Sequence, residues 1–144
     1  MCVLGLDIGD RRIGVAISDE LGVTAQGFSL LERRDQQADV TALQQVIATN
    51  QISRIVVGMP RNMDGSYGIQ AQKTERFIQT LEQACQMPCI RWDERLTTLQ
   101  AERLLIAAGQ RRHKRKAVRD KIAAQLILQN YLDHQRIRLS HPSS

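Results

Sequence analysis

Cys2-Val3-Leu4-Gly5-Leu6-Asp7-Ile8-Gly9-Asp10-Arg11-Arg12-Ile13-Gly14-Val15-Ala16-Ile17-Ser18 is the stretch on which the fold turns. From Cys2 to Leu6 the residues are continuously apolar or small, the pattern of a central strand covered on both faces. Asp7 closes that strand at its carboxyl end. Residues Arg12 to Ser18 alternate, with Ile13, Val15 and Ile17 on one face and Gly14, Ala16 and Ser18 on the other. A second strand therefore follows the turn at Gly9-Asp10. Asp19-Glu20-Leu21-Gly22 makes a second turn and leads into a third strand around Val23 to Leu30. The three strands form an antiparallel meander.

Outward from this opening the period changes. After Asp35, Val40, Leu43, Val46 and Ile47 form an apolar stripe at helical spacing that ends near Asn50. Ile52 to Val57 is a further buried strand. Gly58-Met59-Pro60-Arg61-Asn62-Met63-Asp64-Gly65-Ser66 is a loop rich in chain breakers and hydrogen-bonding side chains. A helix of about 15 residues and a strand from Pro88 or Cys89 to Trp92 come next. Thr97 and Gln100 have the spacing of a capping box and start a helix that ends at Gly109. Arg119 to Leu132 is the last helix, with Ile122, Ala123, Leu126 and Ile127 facing a core. The order β-β-β-α-β-α-β-α-α predicts an α/β layer sandwich. Its sheet is mixed, antiparallel in the meander and parallel where helices cross over, with the strand at Ile52 beside the first strand. No repeat or linker interrupts residues 1–138, which are expected to be one domain, with 139–144 a flexible tail.

A chain of 144 residues suits one hydrophobic core. No stretch approaches the roughly 18 unbroken apolar residues of a membrane span, and the first residues carry no basic leader or small-residue cleavage site, so a soluble, cytoplasmic protein is expected. Cys2, Cys85 and Cys89 are odd in number and lack a histidine at zinc-site spacing, and are read as core thiols. Lys and Arg outnumber Asp and Glu by 20 to 15, for a net charge of +5. That balance favours a polyanionic partner without identifying it. The charge is concentrated: Arg111-Arg112-His113-Lys114-Arg115-Lys116 holds five permanent cations in six residues.

Three carboxylates stand where this architecture can bring them together. Asp7 ends the central strand, and Glu94 lies just past the strand that ends at Trp92, at the edge where ligands of open α/β sheets gather. Asp120 shares a helix stripe with Ala123 and Ile127, and so points toward the sheet from the first turn. Converging carboxylates repel one another unless a cation offsets them. All-oxygen ligation favours Mg²⁺ or Mn²⁺, and a pair of such ions suits in-line displacement at a phosphodiester. The basic tract Arg111, Arg112, Lys114, Arg115 and Lys116 would hold flanking phosphates. Plainer readings stand beside these: Asp7 as a turn residue, Asp120 as a partner of the helix dipole, the basic tract as a solvated loop. His113, His134 and His141 are scattered and suggest no catalytic base.

The run Gly5-Leu6-Asp7-Ile8-Gly9 through Asp19 resembles the opening signature of the YqgF family. Val57 to Ser66, Trp92-Asp93-Glu94-Arg95-Leu96-Thr97-Thr98, and Asp120-Lys121-Ile122-Ala123-Ala124 with Ile127-Leu128-Gln129 match its further motifs, so that the resemblance covers almost the whole chain. Members are called Holliday junction resolvases or pre-16S rRNA nucleases. The resemblance implies a ribonuclease H-like fold, with a five-stranded sheet flanked by helices on both faces. It also implies that Asp7, Glu94 and Asp120 are the catalytic, metal-holding triad, served by Mg²⁺ or Mn²⁺. Asn62, Asp64 and Ser66 would lie near the substrate and Arg95 beside the acids; Arg11 and Arg12 complete the expected nucleic-acid contacts. The implied function is processing of the 5′ end of pre-16S rRNA, with junction cleavage as the alternative and a non-catalytic RNA-binding assembly factor as the rival. The partners are then pre-rRNA or branched DNA, with a ribosomal precursor particle in the first case. Monomer and homodimer both stay open, a resolvase's two symmetric cuts implying the dimer. The same opening also resembles the phosphate-binding strand of actin-like and sugar-kinase ATPases, which need two such domains where this chain has length for one.

Overall fold

The computed structural model describes residues 2–60, 68–93 and 122–135. Five strands and two complete helices occur in the order β1 (Cys2–Ile8), β2 (Arg12–Ser18), β3 (Ala25–Glu32), α1 (Gln36–Thr49), β4 (Ile52–Met59), α2 (Ile69–Cys85) and β5 (Cys89–Asp93). A further helix, α3, occupies residues 122–135. The strands form one sheet in the order β3-β2-β1-β4-β5. β1 pairs antiparallel with β2 and parallel with β4, β2 pairs antiparallel with β3, and β4 pairs parallel with β5. The expected meander and crossover are both present, and the first strand is the centre of the sheet.

Local chemistry explains the joints. Asp19 closes the β2–β3 turn by accepting from the backbone N–H of Val23 at 2.8 Å and of Thr24 at 3.3 Å. Gly22 follows in the left-handed region at φ 71°, where a side chain would be strained. These backbone N–H donors, Val23 first, hold the Asp19 carboxyl below its ordinary range. Asp35 caps α1 by accepting from Ala38 N–H at 2.8 Å, and Asn50 ends it by donating through N–H and Nδ2 to the Val46 carbonyl.

Two cores lie on opposite faces of the sheet. On one, Leu4, Leu6, Ile8, Ile13, Val15, Ile55 and Val57 pack against Val40 and Leu43 of α1 and Phe77, Ile78 and Leu81 of α2. On the other, Val3, Ala16, Ala25 and Val56 pack against Ala124, Ile127, Leu128, Tyr131 and Leu132 of α3. Each fully buried Leu, Ile or Val contributes about 1.5–3 kcal/mol by leaving water.

Several element limits differ from the sequence-based expectation. β3 starts at Ala25 and runs to Glu32, because its ladder continues to the pair Arg12↔Glu32, and hydrogen-bond pairing extends past the apolar run. β4 likewise continues through Gly58 and Met59, opposite Trp92 and Asp93 of β5, although these residues read as loop. β1 runs through Ile8, so Asp7 is its penultimate residue. α3 continues to residue 135. Its buried stripe is Ala123, Ala124, Ile127, Leu128, Tyr131 and Leu132, while Ile122 and Leu126 are only half-buried. The helix is rotated so that Ala123 and Ala124 face inward with Ile127, Leu128, Tyr131 and Leu132, and Ile122 and Leu126 lie to the side. Cys2, Cys85 and Cys89 are free thiols, and burial pushes the Cys89 thiol up to about 12. Among the described residues no helix is long and apolar enough to cross a membrane.

Candidate active site

Asp7 is placed by alternation. Leu4, Leu6 and Ile8 face α1 and α2, whereas Val3 and Gly5 face α3, so Asp7 shares the α3 face of the central strand. The approach of α3 to that face is close: a Cβ at Gly5 would lie 2.7 Å from Leu128 Cβ and 3.2 Å from the Ala124 carbonyl oxygen. Only glycine fits there. On the neighbouring strand Asp7 is opposite Gly14, which puts no side chain beside the carboxylate. The half-buried Asp7 therefore lies near the carboxyl end of the central strand, two residues beyond the glycine on which α3 closes and opposite a second glycine.

The direction of α3 follows from its contacts. Ala124 and Leu128 lie over Gly5, and the Tyr131 hydroxyl accepts from Arg54, the strand partner of Val3, at 2.7 Å. Gln125 donates to the Ala25 carbonyl and Gln129 to that of Val23, farther along. α3 runs back along β1, and its amino-terminal end is directed toward Asp7.

The turn after β1 is held by a network that sequence reasoning missed. Gly9 N–H donates to the Arg12 carbonyl at 2.9 Å, and a Cβ on Gly9 would meet that same oxygen at 2.9 Å. Arg33, just past β3, donates to the Gly9 carbonyl at 2.9 Å and to Asp39 Oδ2 at 3.1 Å, with its guanidinium 5.1 Å from the centre of the Phe77 ring. Asp39 is buried in the first turn of α1, and its other oxygen accepts from the backbone N–H of Arg34 at 3.1 Å. One arginine thus ties the turn beside Asp7 to α1 and α2. Gln70, near the start of α2, reaches the Ile8 carbonyl at 3.5 Å. The only signal for this network was a pair of charged residues six apart at a strand-to-helix junction, a spacing with no periodic signature.

Of the other expected site residues, Arg11 is exposed in the turn, and Arg12 is paired with Glu32 at 3.0 Å. Trp92 and Asp93 end β5, two strands from β1. Glu94, Asp120, Asn62, Asp64, Ser66, Arg95 and the basic tract at 111–116 lie outside the described residues, as do the expected helix at 97–109 and the tail at 139–144. Among the described residues no three His, Cys, Asp or Glu side chains gather into a metal-binding group.

This sheet order, with helices on both faces and a carboxylate near the end of the central strand, defines an α/β protein of ribonuclease H-like fold. The chain belongs to the RuvX family, described as Holliday junction resolvase, whose model matches residues 1–134. It is 51% identical over 135 residues to a Halothermothrix orenii protein named "Putative pre-16S rRNA nuclease", covering 94% of this chain and 96% of that one. A Thermoanaerobacter pseudethanolicus protein of the same name is 50% identical over 137 residues, covering 94% and 99%. Among solved structures, Thermus thermophilus RuvC in complex with a Holliday junction substrate aligns with a TM-score of 0.55 at 13% identity, over 88% of this chain and 91% of that one. The fowlpox virus Holliday junction resolvase aligns at 0.52 and 13% identity, over 94% and 99%. At these identities the solved structures speak for the fold.

Proposed function

We propose that the chain is a divalent-metal-dependent nuclease that hydrolyses phosphodiester bonds of nucleic acid, with the 5′ region of pre-16S rRNA as its substrate. The observation that carries this reading is about 50% identity, along nearly the full length of both chains, to relatives bearing that name. The position of Asp7 supports it. A carboxylate near the carboxyl end of the central strand, opposite Gly14, stands where ligands of open α/β sheets gather.

In this reading Asp7, Glu94 and Asp120 hold Mg²⁺ or Mn²⁺. Asp7 fits the role through its oxygen donors and its half-buried place on the α3 face. Glu94 directly follows β5, and Asp120 stands two residues before the described part of α3, the end directed toward Asp7. Bound there, the metal would offset the mutual repulsion of the carboxylates and stabilise charge on the attacking and leaving oxygens of the phosphodiester. The chain's own residues supply the frame. Arg33 fixes the turn beside Asp7, and the basic tract at 111–116, with Arg11, Asn62, Ser66 and Arg95, binds the nucleic-acid backbone.

Junction cleavage is the second reading, favoured by the family description. Cleavage of a labelled precursor spanning the 16S 5′ end, run beside a four-way DNA junction with Mn²⁺ or EDTA, separates the two. Cutting of the precursor alone is the expected outcome. Cutting of the junction alone would transfer the assignment to the resolvase, and salt-sensitive binding without cutting of either would leave an RNA-binding assembly factor.

A further inference from the structure

Ion pairing sorts the basic side chains around the β1–β2 turn into two kinds. Arg12 is taken by Glu32, Arg33 by Asp39, and Lys73 of α2 lies 3.9 Å from Asp10. Asp35, also near this turn, is engaged as the cap of α1. Arg11 and Arg34 are exposed, and neither side chain has an acidic partner among the described residues.

These two arginines are also held close together. The Arg33 N–H donates to the Arg11 carbonyl at 2.8 Å, which continues the β2–β3 ladder one step past Arg12↔Glu32. The next residue, Arg34, is anchored through its own N–H to Asp39. Like charges at neighbouring ladder positions destabilise a sheet, and the single buried carboxylate of Asp39 is already used by Arg33. The backbone thus roots two exposed arginines without an acidic partner among the described residues at the same corner, Arg11 three residues beyond the end of β1. Guanidinium is the side chain best matched to phosphate oxygens.

We propose that Arg11 and Arg34 form a phosphate-binding subsite for a nucleic-acid backbone at the Asp7 end of the sheet, built from residues other than the basic tract at 111–116. The subsite rests on the nucleic-acid reading above and adds Arg34 to it, a residue that sits in no motif. Its task is to hold a phosphate of the strand beside the one being cut. Exposed cations that meet phosphates release condensed counterions, so the subsite has a thermodynamic signature independent of cleavage.

The test is anisotropy binding of the full chain to a short single-stranded RNA and to a four-way DNA junction, across a series of salt concentrations. Arg11→Gln, Arg34→Gln and their double variant are compared with Arg54→Gln. This last variant removes the same charge at the opposite end of the strand, beside Val3. Each subsite variant is expected to lower affinity about fivefold near 0.1 M salt. Each should also flatten the slope of log affinity against log salt by about 0.7 on the single strand or about 0.9 on the duplex arms. Arg54→Gln is expected to bind like the parent. The probe that shows the change identifies the nucleic acid the subsite serves. Parent-like slopes in the double variant, or an equal loss in Arg54→Gln, would overturn the subsite and leave the nuclease reading intact. A parent that binds neither probe would overturn both.

Discussion

The two faces of the sheet are built on opposite plans. Against α1 and α2 the central strand presents Leu4, Leu6 and Ile8, and the facing helices answer with Leu43, Phe77, Ile78 and Leu81. Against α3 the same strand presents Val3, Gly5 and Asp7, and the neighbouring strands and helix answer with a mixture of small residues, Ala16, Ala25 and Ala124, and bulky ones, Ile127, Leu128, Tyr131 and Leu132. The first face holds the larger buried cluster. At Gly5 the absence of a side chain lets the helix come close enough that one added methyl group would collide. The first face is the bulkier core, and the second carries Asp7, the residue to which the proposed function gives the chemistry.

That contrast can be tested by breaking each face in turn. Leu81→Ala on the bulky face is expected to cost about 2–5 kcal/mol, read from urea midpoints. Cleavage per folded molecule should be unchanged. Gly5→Ala on the close face is expected to cost about 1–3 kcal/mol by overpacking. Because it displaces α3, it should also lower cleavage per folded molecule at least tenfold. Equal activity losses in the two variants would erase the distinction between the faces.

Arg33→Met tests the join between the faces at the turn. It leaves the buried Asp39 without its cation and the Gly9 carbonyl without a donor, for an expected loss of about 1–2 kcal/mol. The Gly9 amide should exchange its hydrogen faster, while amides in the middle of α2 keep their protection.

The smallest expected effect lies on the sheet edge. There Arg91 of β5 donates to both oxygens of Glu75 of α2, at 2.7 and 2.6 Å. Those bonds hold the Glu75 carboxyl below its ordinary 4.5. A lowered folded value contributes stability that is complete above the ordinary value and lost as pH falls through the lowered one. The parent should therefore lose more urea resistance than Glu75→Gln between pH 6 and pH 3. The difference will be small because both side chains are about one-third exposed.

The sequence was most legible where a single period ruled. The apolar run of β1, the alternation of β2 and the helical stripe of α1 between Asp35 and Asn50 all appear where expected. Legibility failed where tertiary contacts overrode hydrophobicity. Ile122 and Leu126 look like core residues, yet the close packing of Ala124 and Leu128 on Gly5 turns α3 away from them. Gly58 and Met59 look like loop, yet β5 supplies the partners that keep them in the sheet. The place of Asp7 near the end of the central strand could be read because strand, turn and glycines lie in one short stretch. Arg33 and Asp39 could not, since their pairing depends on β3 ending beside the turn of another hairpin strand.

Asp7→Asn bears most directly on the central claim, because it keeps the size and shape of the side chain and removes its charge. The measurement is Mn²⁺-dependent cleavage of the labelled 16S precursor by parent and variant, with RNA affinity measured in parallel. The account requires cleavage to fall at least a hundredfold in the variant while affinity stays within about threefold of the parent. Equal cleavage by the two proteins would contradict it, removing Asp7 from the chemistry and the ordered turn beside it from any catalytic role.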